Sequence, residues 1–112
     1  MLKKNYEFKQ VFKNGKYYGD LYLEGFLYKN KENKNFLGIG ISNKLAKAVK
    51  RNYLKRIIRE SYNQLENQIK EGYSIIFIWN KRTDIEKASF NNVFVSMTNI
   101  LKKAKVIKNE NE

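Results

Sequence analysis

The sequence contains no cysteine, no histidine and no proline. Without cysteine the protein has no disulfide, no thiolate nucleophile and no zinc finger. Without histidine it lacks the commonest general base and the commonest metal ligand. Its two aspartates, Asp20 and Asp84, are far apart, and neither paired carboxylates nor a glycine-rich phosphate loop occurs. Because a nuclease that works alone needs carboxylates holding Mg²⁺ or a histidine acid–base pair, we expect the protein alone to be inactive.

Acidic residues are also scarce. Lysine and arginine total 23 against 11 acidic residues, which gives a net charge of +12. A balance of this kind is typical of nucleic-acid-binding domains and drives salt-sensitive binding to phosphates. A membrane surface is the other polyanion to consider, but no apolar run is long enough to span a bilayer. Met1 to Asn5 lead directly into mixed residues, so we expect no signal peptide and a cytoplasmic protein without membrane contact.

A single domain is expected over residues 1–112. The chain has neither an internal repeat nor a low-complexity linker, and 112 residues suffice for one core. Hydrophobic residues make up 42% of the sequence, which excludes a disordered basic tail.

The segment from Lys47 to Glu60 is the most informative part of the sequence. At about 100° per residue, a helix here places Leu54 and Ile58 in an apolar stripe that continues to Leu65 and Ile69. Like charges at neighbouring helical positions cost about 0.2–0.5 kcal/mol per pair, and a bound polyanion would reverse that cost. We therefore favour an anion-binding helix over an ordinary solvated face, which mixes signs. The opposite side carries Asn52, Lys55, Arg56 and Arg59, and Lys47, Lys50 and Arg51 complete a run of six cations.

The N-terminal part predicts a helix followed by strands. The helix is capped by Asn5 and ended by Gly15, and its Phe8, Val11 and Phe12 form either core or a partly exposed aromatic wall. Tyr17 to Asn30 alternates as one strand, with Gly25 as a bulge or a close backbone approach. Its two predicted faces are Leu21, Leu23 and Leu27 on one side, and Tyr22, Glu24, Phe26 and Tyr28 on the other.

A second strand from Phe36 to Ser42 carries small residues on one face, namely Gly38, Gly40 and Ser42. Small residues beside aromatic residues would form a shallow trough. Such a trough could admit single-stranded nucleic acid, since stacking on aromatic rings is worth about 1–3 kcal/mol per base. Alternatively, a helix packs there, with the glycines allowing close contact.

The C-terminal half predicts a helix, a strand and a helix. The basic helix runs to about Lys70 before Gly72, and Tyr73 to Trp79 is apolar on both faces, which is typical of a central strand. After a loop, Ser89 caps a final core-facing helix, and the residues from Lys108 are expected to fray. The order predicts an α+β fold, a two-layer α/β sandwich with a β-α-β crossover and the first helix over the other face or along an edge.

Several of these segments resemble the bacterial ribonuclease P protein subunit. The resemblance rests on residues 38–44, on 47–52 followed by 55–60, and on 8–15 in the first helix. It implies a fold like a ribosomal-protein domain with a left-handed crossover, against the general right-handed expectation. This sequence departs from the family pattern at Tyr53, which replaces the second arginine of the basic motif, and at Phe36, Asn80 and Lys81.

The resemblance also implies partners and site residues. The partners would be ribonuclease P RNA, which holds the catalytic Mg²⁺, and precursor tRNA, whose 5′ leader the complex removes. The positions that bind the RNA subunit in this family would correspond to Lys47, Lys50, Arg51, Asn52, Lys55, Arg56 and Arg59. The positions that line the leader-binding cleft in this family would correspond to Phe8, Lys9, Phe12, Lys13 and Phe26. Two other hypotheses stay open, a ribosomal or assembly protein without a processing role and a nuclease that acts alone.

Overall fold

The computed structural model describes residues 1–108 and shows a mixed α+β fold. Its three α-helices are α1 (Asn5–Asn14), α2 (Ala48–Leu65) and α3 (Phe90–Lys103). Its four strands are β1 (Lys16–Gly19), β2 (Leu23–Lys29), β3 (Phe36–Gly40) and β4 (Tyr73–Trp79). Short 3₁₀ turns cover Glu66–Gln68 and Ile85–Lys87. No helix within residues 1–108 is long and apolar enough to cross a membrane.

The four strands form one sheet in the order β1-β2-β4-β3. The β1–β2 and β2–β4 pairs are antiparallel, whereas β3 and β4 are parallel neighbours. Because α2 connects β3 to β4, the predicted β-α-β crossover is confirmed, and its hand stays a prediction. The central position of Tyr73–Trp79 is confirmed as well, since β4 has a partner on each side.

The main core lies between one face of the sheet and helices α2 and α3. The predicted apolar stripe of α2 is confirmed, because Leu54, Ile58 and Leu65 are all buried in this core, together with Ile69 just beyond the helix. From α3, the buried residues are Val93, Met97, Ile100 and Leu101. Ser89 caps α3 as predicted, because its hydroxyl accepts a hydrogen bond from the Asn92 amide at 3.1 Å. We call this side of the sheet the closed face.

Helix α1 packs on the opposite side, which we call the open face. Its Val11 is buried with Leu2 and with Ile76 of β4 in a second, smaller cluster. Of the two predicted positions for the first helix, the structure shows the one over the sheet. The helix begins at Asn5 with Lys4 as N-cap, so the prediction of Asn5 as the cap was wrong. The Glu7 carboxylate accepts the amides of Lys3 and Lys4 instead and thereby covers the helix start.

The prediction of one continuous strand from Tyr17 to Asn30 was wrong. A turn at residues 20–22 separates β1 from β2 and reverses the chain. Leu21 is therefore 62% exposed instead of buried. The ring of Tyr22 lies 6.0 Å from that of Trp79 and packs against the main core, so it does not share a face with Phe26.

Distant residues hold this turn. The amide of Asn80 donates to the carbonyl of Asp20 at 3.1 Å, and the hydroxyl of Thr83 donates to the carbonyl of Leu21. On the other side, the Ser96 hydroxyl accepts the amide of Leu23 at 3.2 Å. These contacts join positions 60 or more residues apart, which explains why the local alternation did not reveal the turn.

Three smaller expectations are refined. Gly25 is a close approach and not a bulge, because the β2–β4 register runs through it unbroken and a Cβ there would lie 2.8 Å from Ile100 Cγ2. Helix α2 ends at Leu65, before the 3₁₀ turn, and not near Lys70. The backbone amide of Lys108 donates a hydrogen bond to the Gln68 carbonyl at 2.7 Å. The rest of the C-terminal segment that was expected to fray lies outside the described residues.

Candidate nucleic-acid interface

An uncovered row of residues crosses the open face. The strand register places Gly19, Glu24, Ile78 and Gly40 side by side from β1 to β3. A Cβ added at Gly40 would meet only Ile78, at 3.4 Å, and all four residues are partly exposed. We call this row the trough.

The neighbouring row is covered by the N-terminal segment. A Cβ at Gly38 would lie 3.0 Å from side-chain atoms of Leu2, Phe8 and Ile76. Close packing and an open surface, the two predicted arrangements of the small residues, therefore occur on the same strand. The chain packs closely at Gly38, and the trough stays open at Gly40.

An aromatic wall stands beside the trough. The ring of Phe12 on α1 meets the ring of Phe26 edge to face with centroids 4.9 Å apart, and Tyr17 lies 5.2 Å from Phe26 on the other side. Phe12 is 42% exposed and Tyr17 is 53% exposed. Phe8 is half-buried against Gly38 and closes the lower part of the wall. The three predicted aromatic residues are thus brought together, with Phe12 the most accessible.

Lysines border this wall on α1. Lys9 and Lys13 are exposed and line a shallow surface depression together with Tyr6 and Gln10. Neither lysine has an ion-pair partner among residues 1–108. Their ammonium groups are therefore accessible to an anion from solvent.

At its β3 end the trough approaches the start of the basic helix. The depression around Glu24, Gly40 and Ile78 is bounded by Ser42 and Leu45, which precede α2. Lys81, in the loop after β4, lines the same depression. This end of the depression therefore reaches the loop that leads from β3 into α2.

The predicted cations of α2 divide into two groups. The side chains of Lys47, Lys55 and Arg59 have no hydrogen-bond or ion-pair partner within the described part of the chain. Arg56 lies 3.9 Å from Glu60, with both side chains exposed, and 5.4 Å from the centre of the Tyr53 ring. An exposed pair at this distance contributes little and leaves Arg56 available. With the exposed Asn52, these residues form a surface that we call the basic strip: Lys47, Asn52, Lys55, Arg56 and Arg59.

The other two predicted cations are engaged within the protein. Lys50 pairs with Glu86 at 3.4 Å. Arg51 donates through one guanidinium nitrogen to the carbonyls of Asn43, at 3.3 Å, and Ala46. Arg51 therefore holds the loop that connects β3 to α2, a contact that spacing along the helix could not reveal.

The start of α2 is electrostatically unusual. A helix N-terminus carries a partial positive charge and is stabilised by acidic residues in its first turn. Helix α2 has no acidic residue there and no side-chain cap, and Lys47, Lys50 and Arg51 surround the same end. Helix termini of this kind bind anions such as phosphate. The geometry therefore favours an external polyanion at this end of the strip.

Tyr17 of the aromatic wall and Glu24 of the trough were not among the sequence-predicted site residues. The Tyr17 hydroxyl donates to Glu24 Oε2 at 2.7 Å, and this bond to a carboxylate raises the pKa of the Tyr17 phenol. The sequence did contain a signal for Glu24. The alternation of β2 places it on the same face as Phe26, and a carboxylate on an aromatic face is unusual in a strongly cationic protein.

The site offers no cluster of metal ligands within residues 1–108, where no group of three or more Asp or Glu side chains could hold a metal ion. Its chemistry is that of a binding surface, with exposed cations for phosphates and aromatic rings for bases.

The sequence matches a known protein family over almost its whole length. The sequence profile of the Ribonuclease P family matches residues 1–105. The ribonuclease P protein component of Clostridioides difficile is 36% identical over 106 residues, covering 94% of this chain and 91% of the relative. The corresponding protein of Clostridium botulinum, strain Loch Maree, is 38% identical over 104 residues and covers 92% of both chains.

Solved structures show the same fold. The Staphylococcus aureus RNase P protein superposes with a TM-score of 0.84 at 31% identity and covers 96% of both chains. The Thermotoga maritima RNase P protein, solved with 1-(4-fluorophenyl)-2-thiourea, gives a TM-score of 0.84 at 31% identity over 92% of this chain and 98% of the other. The likeness therefore extends over almost the whole domain.

Proposed function

The chain belongs to the ribonuclease P protein family, and we propose from this premise that it binds the catalytic RNA of that enzyme and the 5′ leader of precursor tRNA. In this role it assists endonucleolytic removal of the leader, which matures the tRNA 5′ end. The observation that carries the proposal is that the depression around Glu24 and Gly40 reaches Ser42 and Leu45, in the loop that leads to the basic strip. One surface suits folded RNA and the other suits a single strand.

The basic strip is proposed to bind the RNA subunit. Within residues 1–108 the side chains of Lys55 and Arg59 have no hydrogen-bond or ion-pair partner, and Arg56 contacts the exposed Glu60 and the Tyr53 ring. Each phosphate neutralised by such a cation releases condensed counterions, which favours association at low salt. Placed between the RNA subunit and its substrate, these charges would reduce the repulsion between two polyanions.

The trough and its aromatic wall are proposed to receive the leader. The exposed rings of Phe12 and Tyr17 offer stacking surfaces for unpaired bases, and Lys9 and Lys13 lie beside them for phosphates. Because only the precursor has a leader, contacts made here would distinguish substrate from product.

Mg²⁺ is proposed to be bound by the RNA subunit and the substrate. The sequence supports this assignment, because it has no histidine or cysteine and its acidic residues are scattered. The protein would lower the Mg²⁺ requirement through its own positive charge, and the hydrolytic step would belong to the RNA.

Reconstitution tests the proposal. At low Mg²⁺, we expect the RNA subunit with this protein to cleave precursor tRNA much faster than the RNA subunit alone, because the protein supplies the missing countercharge. Equal rates with and without the protein would contradict the proposed function. Protein freed of RNA serves as the control, and we expect it to leave precursor tRNA uncut.

A further inference from the structure

Glu24 is the one charged residue in the trough row, where its neighbours are Gly19, Ile78 and Gly40. A carboxylate repels phosphate, so its place in the floor of an RNA-binding trough opposes the field of a protein with a net charge of +12. Lys81 lines the depression around Glu24 from the loop after β4, and the exposed Lys9 and Lys13 lie on α1, which carries Phe12 of the aromatic wall. A strand in the trough would therefore turn its phosphates towards these lysines and its bases towards Glu24.

The carboxylate of Glu24 is held in a defined orientation. Tyr17 donates to its Oε2 at 2.7 Å, and the Tyr17 ring is fixed against Phe26 at 5.2 Å. Gly19 leaves room for this arrangement, since a Cβ there would lie 2.8 Å from the Tyr17 hydroxyl. Within residues 1–108, Oε1 of Glu24 receives no hydrogen bond and is free to accept one.

The surroundings of Glu24 suit the edge of a flat ring. The depression that contains it has apolar sides formed by Ile41, Leu45 and Ile78, and Gly40 leaves its floor open. An ionised carboxylate only accepts hydrogen bonds, so it requires an N–H donor from its ligand. Adenine, cytosine and guanine present an exocyclic amino group, whereas uracil presents a single N–H between two carbonyl oxygens that repel a carboxylate.

We propose that Glu24, positioned by Tyr17, selects an amino-bearing base in the single-stranded segment that occupies the trough and discriminates against uracil. This inference rests on the proposed function and adds a base preference to it. Glu24 would contact the RNA directly, and Tyr17 would act through Glu24 as a positioning residue as well as a stacking surface.

The test uses the reconstituted holoenzyme and a set of precursor tRNAs in which each leader position in turn carries A, C, G or U. We expect one position at which the amino-bearing bases bind about tenfold more tightly than U, the effect of one hydrogen bond to a charged group. In Glu24→Gln the preference should fall to about twofold or less, because the amide offers a donor as well as an acceptor. Purine riboside in place of adenosine at that position should bind the unmodified protein as weakly as U.

Two further variants separate the roles. Tyr17→Phe keeps the ring but frees Oε2, so the preference should shrink while overall leader binding is retained. Glu32→Gln makes the same change of charge in the exposed turn between β2 and β3, and it should leave the preference unchanged. An unaltered preference in Glu24→Gln, with leader binding intact, would overturn this inference alone. Equal affinity of the unmodified holoenzyme for leader-bearing and leaderless tRNA would instead overturn the proposed function.

Discussion

The two faces of the sheet are formed by alternate residues of the same four strands. They differ in how much of their surface is buried. On the closed face, Leu23, Leu27 and Phe77 lie beneath two long helices and are almost completely buried. On the open face one ten-residue helix covers part of the sheet, and the buried hydrophobic cluster within residues 1–108 consists of Leu2, Val11 and Ile76. The difference shows that most of the buried core lies on one side of each strand, and that the short α1 leaves part of the other side exposed. The proposed function uses this exposed side for binding.

Helix α2 repeats this contrast on a smaller scale. Its inner side supplies Leu54 and Ile58 to the closed face, and its outer side carries the basic strip. Arg51 lies between the two, with its guanidinium donating to backbone carbonyls. Substitutions on the closed side should therefore change unfolding, and substitutions on the open side should change binding.

Truncating one phenylalanine on each face gives the largest expected difference. Phe77→Ala should reduce the free energy of unfolding by about 3–5 kcal/mol, because it leaves a cavity in a closed core. Phe12→Ala should cost under about 1.5 kcal/mol, since the ring is 42% exposed, but should weaken the binding of precursor tRNA. Urea denaturation and substrate binding by the holoenzyme measure the two effects. A large loss of stability in Phe12→Ala would mean that its ring is core and that the wall is not a binding surface.

Adding one methyl group to a glycine on each face sharpens the comparison. In Gly25→Ala the new Cβ would lie 2.8 Å from Ile100 Cγ2, so overpacking should cost about 1–3 kcal/mol. In Gly40→Ala the nearest atom is 3.4 Å away, so the free energy of unfolding should change by less than about 0.5 kcal/mol. Thermal melting of the two variants checks this pair. Equal destabilisation would indicate that the trough is closed.

The turn that joins β1 to β2 should be sensitive to acid. The buried hydroxyl of Ser96 donates to Asp20 at 2.7 Å and accepts the amides of Tyr22 and Leu23, so Ser96→Ala should cost about 1–3 kcal/mol. Partial burial raises the pKa of Asp20, but hydrogen bonds from Ser96, Lys103 and the Leu21 amide outweigh it and hold the pKa below its ordinary value.

A lowered folded-state pKa means that the unfolded chain binds the proton more tightly. The stability contributed by Asp20 is therefore fully present above the ordinary pKa of an unfolded aspartate and is lost as the pH falls through the lower folded-state pKa. Unfolding measured from pH 6 to pH 2 should show a flatter acid limb for Asp20→Asn than for the unmodified protein. Identical limbs would show that the carboxylate makes no net contribution to the turn.

Alanine substitutions of the two classes of arginine on α2 should give the smallest effects on stability. They should also differ in kind, since one affects folding and the other affects binding. Arg51→Ala removes contacts to the Asn43 and Ala46 carbonyls and should cost about 0.5–1.5 kcal/mol. Arg59→Ala should leave unfolding unchanged, weaken association with the RNA subunit and reduce the slope of log affinity against log salt by about 1. Binding titrations over a salt series measure this. An unchanged slope in Arg59→Ala would show that Arg59 makes no phosphate contact with the RNA subunit.

Periodic segments could be predicted from the sequence. Tyr73–Trp79 could be recognised because both faces of a central strand are apolar. The stripe from Leu54 to Ile69 could be recognised because apolar residues recur every three to four positions along a helix that packs on a sheet. Such patterns depend only on neighbours along the chain, and they were sufficient for the fold class.

Features created by distant contacts could not be predicted. The turn after Gly19 depends on Asn80, Thr83 and Ser96, and the tethering of Arg51 depends on how the chain reverses before α2. The trough is also a property of the whole sheet, since it appears only when the register places Gly19, Glu24, Ile78 and Gly40 in one row.

The most direct test of the division between the two faces is the affinity of the holoenzyme for precursor tRNA relative to mature tRNA, compared with the same ratio for the RNA subunit alone. If the open face binds the leader, the protein should raise this ratio by at least about fivefold, the effect expected for stacking of a single base. If the protein strengthens the binding of precursor and mature tRNA by the same factor, the open face does not receive the leader and the account is contradicted.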